Sequence, residues 1–273
     1  MEQEKRLDVL VEAFKEDSGR YRNLETPQDL YGKRRLLRSL MNIRMPGPLP
    51  QEVLDLQDQY LEDRVQENGI VPLEEIPSLK DAGSRHPLAC QISIWQGDIT
   101  RLQLDAIVNA ANAQMLGCFV PMHTCIDNCI HTFAGVQLRA ECDRKMRILR
   151  RQYGQDYEQP TAVPMLTDGY NLPARKVIHI VGPIVRGALT PELEQELARC
   201  YQNTLDLCLQ EHLRSVAFCC ISTGVFCFPN HRAAQIAVQT VTDWLKAHPD
   251  ALDRVVFNVF KDEDRRYYEQ ELQ

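Results

Sequence analysis

Apolar positions recur at helical spacing through the first quarter of the chain, and the period then changes. Leu7, Leu10, Val11 and Phe14 fall on one face of a helix, and Asp17-Ser18-Gly19 supplies its stop. Thr26 followed by Pro27 has the form of an N-cap and a first helical position, which predicts a second helix through DLYGKRRLLRSLMNIR. MPGPLP breaks the pattern. Pro50 then opens a third segment in which Val53, Leu56 and Tyr60, with Leu54, Leu61 and Val65, make a wide apolar face ended by Asn68-Gly69. Residues 1–85 are therefore expected to form an N-terminal helical extension packed on a body of residues 86–273. A separate partner-binding module is the alternative.

From Cys90 onward, short apolar runs alternate with amphipathic stretches. The runs predict strands at Gln91–Trp95, Ala106–Asn109, Ala162–Leu166, Lys176–Val181, Val216–Ile221 and Val255–Phe260. The stretches predict helices near 127–150, 191–211, 230–247 and 262–271. This alternation implies an α/β class, with three α/β/α layers around a mixed, largely parallel sheet. Ligands of such sheets bind outside the carboxyl ends of strands, which directs attention to the loops after Asn109 and after Ile221.

Composition narrows the class without changing it. A chain of 273 residues that is 44% apolar and 25% charged has enough apolar material for a substantial core. No apolar run approaches the roughly 20 residues needed to span a bilayer. The start, MEQEKRLDVLVEAFKED, is charged rather than signal-like, so a cytoplasmic protein with no membrane partner is expected. Ten cysteines in a reducing compartment read as thiols rather than disulfides, with Cys200, Cys208, Cys219 and Cys220 as small core hydrophobes. The net charge of −7 argues against nucleic acid as a partner. Lys33-Arg34-Arg35 and Arg144-Lys145-Arg147-Arg150-Arg151 then read as solvated helix faces. No long heptad pattern is present, and a monomer is expected.

Three loops carry polar chemistry. Gly97-Asp98-Ile99-Thr100 follows a strand, and Asp98 offers an acceptor for an exocyclic amine, or else an N-cap. Asp105-Ala106-Ile107-Val108-Asn109-Ala110-Ala111-Asn112 runs from a strand into alanines flanked by amides. Alanine lets backbone approach a ligand, and the Asn112 amide can both donate to and accept from sugar hydroxyls, or else cap its own loop. Ile221-Ser222-Thr223-Gly224-Val225-Phe226-Cys227-Phe228-Pro229 joins a strand to a helix start. Its small residues form a cradle of N–H groups suited to a diphosphate, although it lacks the Gly-Lys-Ser/Thr of a Walker loop.

Taken in order, GDIT, DAIVNAAN, IDNCIHTFAG, VIHIVGP and STGVFCFP resemble the motifs of the macrodomain, the ADP-ribose-binding fold, over about residues 90–262. The resemblance implies that Asp98 binds the adenine amine, Ile99 lines the adenine pocket and Asn112 contacts the distal ribose. It also implies that Ser222, Thr223, Gly224, Val225 and Phe226 wrap the diphosphate, with Phe226 on the distal ribose. Where common hydrolytic macrodomains carry a glycine-rich loop, this chain has Gly117-Cys118-Phe119-Val120-Pro121-Met122-His123-Thr124-Cys125. That segment resembles the zinc-containing microbial subgroup of protein-ADP-ribosyl hydrolases.

The metal reading also follows from the residues. Cys118, His123 and Cys125, spaced C-x4-H-x-C, offer two thiolates and an imidazole, a soft set that suits one Zn2+ and leaves an open position. Cys129, one helical turn beyond Cys125, is an alternative ligand, as is His131. Hydrolysis at the anomeric carbon needs a positioned water, and Asp127, at a helix start that favours its anionic form, is the expected general base or water-orienting group. An N-cap is its structural alternative. The expectation is a zinc-dependent hydrolase removing mono-ADP-ribose from protein side chains. The competing expectation is a non-catalytic reader with a structural zinc. By analogy with the subgroup, a sirtuin-like ADP-ribosyltransferase is the functional counterpart, and a lipoyl-carrier protein resembling the glycine cleavage H protein is a candidate substrate.

Overall fold

The computed structural model describes residues 2–273, and contacts divide the chain into two compact units. The first takes the chain up to Ile70 together with Met115–Tyr157 and Gly169–Leu172. It holds α1 (Gln3–Ser18), α2 (Leu30–Ile43), α3 (Gln51–Asn68), α4 (Ile126–Ala134) and α5 (Val136–Tyr153). Leu7, Leu10, Val11 and Phe14 of α1 pack with Leu37, Leu40 and Met41 of α2 and Tyr60 and Leu61 of α3 in one cluster. The apolar stripe of the first helix is thus the centre of this unit.

Two predicted boundaries shift for local reasons. The cap of α2 is Asp29, whose side chain accepts from the Gly32 N–H, and not Thr26. Thr26 instead donates to Glu12 and accepts from Lys15. The single helix expected over 127–150 is broken at Gly135, where φ is +94°. A side chain there would meet Gln57 Nε2 at 2.7 Å. Gln57 fixes the break directly, because its Oε1 accepts from the N–H of Val136.

The second unit takes Val71–Gln114, Glu158–Asp168 and Pro173–Gln273. Its strands are β1 (Val71–Pro72), β2 (Ile92–Gln96), β3 (Leu102–Gln103), β4 (Ala106–Ala111), β5 (Met165–Asp168), β6 (Lys176–Val181), β7 (Ser215–Phe218) and β8 (Arg254–Val259). Its helices are α6 (Pro191–Gln210), α7 (Asn230–Ala247) and α8 (Asp262–Glu271). Six strands form one sheet in the order β2-β8-β7-β4-β6-β5, while β1 and β3 make a separate parallel pair. Every neighbour pair in the large sheet is parallel except β5 with β6. The sheet is therefore mixed and mostly parallel.

Ala162, expected in the fifth strand, sits at φ +63°, and Pro164 lacks an N–H, so regular pairing starts only at Met165. Because β2, β4, β6, β7 and β8 run the same way, the segments that follow them emerge on one edge of the sheet. Those segments begin at Gly97, Asn112, Gly182, Cys219 and Phe260. No disulfide joins any of the ten cysteines, all of which lie among the described residues. Burial pushes the thiols of Cys200, Cys208 and Cys219 up to about 12, in keeping with core positions. No helix among the described residues is long and apolar enough to cross a membrane.

Candidate functional site

In the second unit, Asp98 caps a one-turn 3-10 helix. Its Oδ1 accepts from the Thr100 N–H at 3.0 Å and from the Thr100 hydroxyl at 2.7 Å. Ile99 is buried beside it. Gly97 has to be glycine, since a Cβ would meet the Trp95 ring at 2.5 Å. At the end of β4, Asn112 Oδ1 accepts from the Gln114 N–H at 3.1 Å, so its side chain caps its own loop. Upstream, buried Asn109 contacts His179 Nδ1 at 3.0 Å, and His179 Nε2 contacts Thr167 Oγ1 at 3.0 Å. This relay lies on the strand from which the Asn112 turn departs.

The loop after β7 is folded on itself. The Thr223 hydroxyl donates to Cys220 O at 2.9 Å, the Phe228 N–H to Ser222 O at 3.0 Å, and the Cys227 N–H to Gly224 O at 3.0 Å. Those bonds leave the N–H groups of Gly224, Val225 and Phe226 without an acceptor among the described residues. Ser222 is held at φ +65°, is only 6% exposed, and its Oγ finds no partner among the described residues. A buried hydroxyl is costly to leave without an acceptor, which makes Ser222 Oγ a candidate ligand contact. A cluster of unused donors next to an orphaned hydroxyl is what an anion would satisfy. Phe226 is anchored by the Val185 N–H, which donates to its carbonyl, whereas Val225 is 76% exposed.

In the first unit, the donor atoms of Cys118, His123 and Cys125 all lie within 4.8 Å of one another. Cys118 Sγ and His123 Nδ1 are 3.5 Å apart. Cys125 caps α4, and its Sγ accepts from the Asn128 N–H at 3.4 Å. Burial pushes its thiol up to about 12, with the nearby Cys118 and Asp127 adding to the effect. Two sulfurs and an imidazole converging in this way fit a zinc ion, whose charge would stabilise the thiolate that burial disfavours. Cys129 lies outside this group, and its Sγ instead faces Arg38 Nη2 at 3.6 Å. His131 also lies outside it, with Nε2 3.5 Å from Asp127 Oδ1 across one turn of α4. Asp127 is buried in the first helical turn.

The loop that carries the cluster is held by residues that the sequence pattern does not single out. Arg38 Nη2 donates to His123 O at 2.8 Å and to Asn128 Oδ1 at 2.9 Å. Asn128 Nδ2 donates to Val120 O and Cys118 O, while Asn42 Oδ1 accepts from the Met122 N–H at 3.0 Å. Met122 needs that support, because it sits at φ +59°. Gly117 lets the loop pass over His131, whose ring a Cβ would meet at 2.8 Å. Arg139 ties the loop's start to the end of α2. Its Nε donates to Leu116 O, its Nη1 to the carbonyls of Met41, Asn42 and Arg44, and its guanidinium lies 4.3 Å from the Phe119 ring centroid. Burial pulls its pKa down to about 10, a shift that the charge of Asp127 partly opposes. Asn128 adjoins a residue the pattern did mark, but Arg38, Asn42 and Arg139 sit in ordinary amphipathic helices.

The chain as a whole is similar to known proteins. The family model described as "Macro domain" matches residues 108–237. A protein of Treponema medium named "Protein-ADP-ribose hydrolase" is 43% identical over 268 residues, covering 98% of each chain. One of Staphylococcus aureus (strain MRSA252) with the same name is 41% identical over 266 residues, covering 97% of this chain and 94% of its own. Among solved structures, a Trypanosoma brucei macrodomain in complex with ADP-ribose superposes with a TM-score of 0.63 at 31% identity. It covers 85% of this chain and 94% of the other.

Proposed function

The chain belongs to the macrodomain family, and we propose that it is a zinc-dependent hydrolase that removes mono-ADP-ribose from modified protein side chains. Protein-ADP-ribose hydrolysis is the activity named for relatives that match it over almost its whole length. The observation that carries the zinc-dependent reading is the convergence of Cys118, His123 and Cys125 to within 4.8 Å.

In this reading the second unit binds the nucleotide. Asp98 Oδ1 is taken by Thr100, which leaves Oδ2 for the adenine amine, and Ile99 lines the ring. The N–H groups of Gly224, Val225 and Phe226 and the Ser222 hydroxyl take the diphosphate, since backbone donors of this kind suit an anion. Thr223 holds the turn. Asn112 orients the distal ribose, and Phe226 packs on it.

Cys118, His123 and Cys125 would hold the ion. Three protein donors leave a coordination position open, and a bound zinc would supply Lewis acidity and lower the pKa of a water toward about 7. Asp127, in the first turn of α4, accepts the proton of the attacking water. That these groups act on one ligand rests on the sequence, where only five residues separate Asn112 from Cys118. A catalytic rather than structural metal is favoured because Arg38, Asn42 and Asn128 already hold the loop by hydrogen bonds. The substrate proposed is an ADP-ribosylated protein, with a lipoyl-carrier protein resembling the glycine cleavage H protein as the first to try and a sirtuin-like ADP-ribosyltransferase as its modifier.

The test is metal analysis with turnover measured before and after chelation. One zinc per chain, turnover lost on chelation and restored by zinc, and an unchanged circular dichroism spectrum are expected. Unfolding on chelation would instead support the reader with a structural zinc. Full activity in metal-free protein would end the proposal. Cys118→Ser, His123→Ala and Cys125→Ser should each lose zinc, whereas Cys129→Ser should keep it.

A further inference from the structure

We infer that one face of α2 is the docking surface for the protein part of the substrate, and that it selects polypeptide with acidic residues around the modified side chain. The inference rests on the hydrolase reading above. Tyr31, Arg35 and Arg38 lie at i, i+4 and i+7, so they form a stripe along one face of the helix. The stripe ends at the metal-ligand loop, because Arg38 Nη2 donates to His123 O at 2.8 Å. Val120, on the same loop, is 57% exposed, and Tyr31, at the far end of the stripe, is 69% exposed.

Charge distinguishes this face from the rest of the helix. Lys33 is paired with Asp8 at 2.6 Å and Arg34 with Glu67 at 3.0 Å. Arg35 and Arg38 meet no carboxylate among the described residues. Arg35 donates to the Tyr31 hydroxyl at 3.2 Å, with its guanidinium 5.4 Å from that ring's centroid, and Arg38 spends its bonds on neutral acceptors. Arg38 Nε is buried with no acceptor among the described residues. Two cations without counter-ions, beside an exposed ring, stand out on a chain of net charge −7. Guanidinium groups fork onto carboxylates, and aromatic rings anchor interfaces. A net charge of −7 disfavours an acidic partner overall, so such a stripe sets both its place and its orientation.

The test uses full-length protein loaded with zinc and three probes: free ADP-ribose and two synthetic peptides bearing a hydrolysis-resistant ADP-ribosyl group, one flanked by Asp and Glu and one by Lys. Affinities are read by fluorescence anisotropy or calorimetry, for wild type, Arg35→Glu and Tyr31→Ala. The acidic peptide is expected to bind wild type about tenfold more tightly than the basic one. That advantage should shrink severalfold in about 0.5 M salt, where the Debye length is short. Arg35→Glu should abolish it, and Tyr31→Ala should weaken both peptides severalfold, with free ADP-ribose unchanged in each variant. Equal binding of the two peptides to wild type, or an Arg35→Glu variant within twofold of wild type for the acidic peptide, overturns the inference while leaving the hydrolase reading intact. Parallel loss of free ADP-ribose binding in the variants would mark the stripe as structural and overturn it too. Failure of wild type to bind free ADP-ribose would remove the hydrolase reading itself, and this inference with it.

Discussion

Gly182→Ala probes the loop proposed to take the diphosphate by crowding Ser222 from outside the loop, without replacing any residue proposed to contact the ligand. Gly182 follows β6 and is buried. A Cβ there would lie 2.1 Å from Ser222 Oγ and 2.7 Å from Ile221 Cγ2, where ordinary contacts run at 3.4–4 Å. The hydroxyl alone could rotate away, but the Ile221 methyl sits on a stiff, fully buried β-branched side chain, so relief forces Ile221 off its rotamer or shifts the segment. Ser222 is already at φ +65°, which costs a non-glycine residue about 1–2 kcal/mol and is maintained by the Phe228 N–H bond to its carbonyl. Overpacking of this kind costs about 1–3 kcal/mol. Because the strain falls on the segment that must present Ser222 and the next four residues, most of it should appear in binding. We expect ADP-ribose affinity to fall by about 5- to 100-fold in titration calorimetry, from roughly 1.4 kcal/mol per tenfold. The melting temperature should fall by about 2–8 °C. Affinity within twofold of wild type, with an unshifted melting temperature, would show that the loop does not depend on the absent side chain and would refute the reasoning.

Other outcomes follow from the same contacts. Arg139→Leu removes a buried guanidinium from four carbonyls and from the Phe119 ring, and should destabilise the chain by about 3–5 kcal/mol in urea titration, because those acceptors stay buried. Asn128→Ala deprives Cys118 O and Val120 O of their donor, and should lower zinc affinity by about 10- to 100-fold in competition with a chromogenic chelator. Asp105 bears on acid stability. Burial pushes its carboxyl up, but the Arg214 and Ser215 N–H groups and the Arg175 guanidinium outweigh that and leave the pKa below its ordinary value. A folded pKa that is depressed gives stability that is present above the unfolded value of about 3.9 and lost as pH falls through the folded one. The stability difference between wild type and Asp105→Asn, measured by thermal unfolding, should therefore be largest near neutral pH and shrink toward pH 3. A constant difference across that range would contradict it.

Much of the fold could be read from periodicity, because the segments that build it are long and one-sided. The stripe of α1, the apolar runs of β4 and β6 and the lengths of α6 and α7 all follow the spacing of buried positions. What periodicity misses is decided by single residues whose partners lie elsewhere in the chain. Nothing in FAGVQL announces a helix break. The break exists because Gln57, on another helix, bonds the Val136 N–H and fills the space beside Gly135. Asp29 displaces Thr26 as a cap because Thr26 is engaged by Glu12 and Lys15.

The same division holds at the candidate metal centre. The C-x4-H-x-C spacing identifies three residues close in sequence whose donor atoms are close in space, since a short loop keeps them together. The groups that shape the loop are 85 and 90 residues away for Arg38, which reaches His123 O and Asn128. In the sequence, Arg38 is one more cation just beyond Lys33-Arg34-Arg35, and nothing in its pattern singles it out. Its hydrogen bonds put it in a different role. A loop with three soft donors and a residue at positive φ would otherwise collapse toward whatever contacts were nearest. By fixing the carbonyl of His123 from outside, Arg38 orients the imidazole without occupying a coordination position. Arg38→Lys keeps the charge but cannot reach His123 O and Asn128 Oδ1 with one planar group. It should therefore bind zinc with a faster off-rate at unchanged overall stability. An off-rate equal to wild type would mean that the loop holds its shape unaided and that the helical extension contributes only packing to this site.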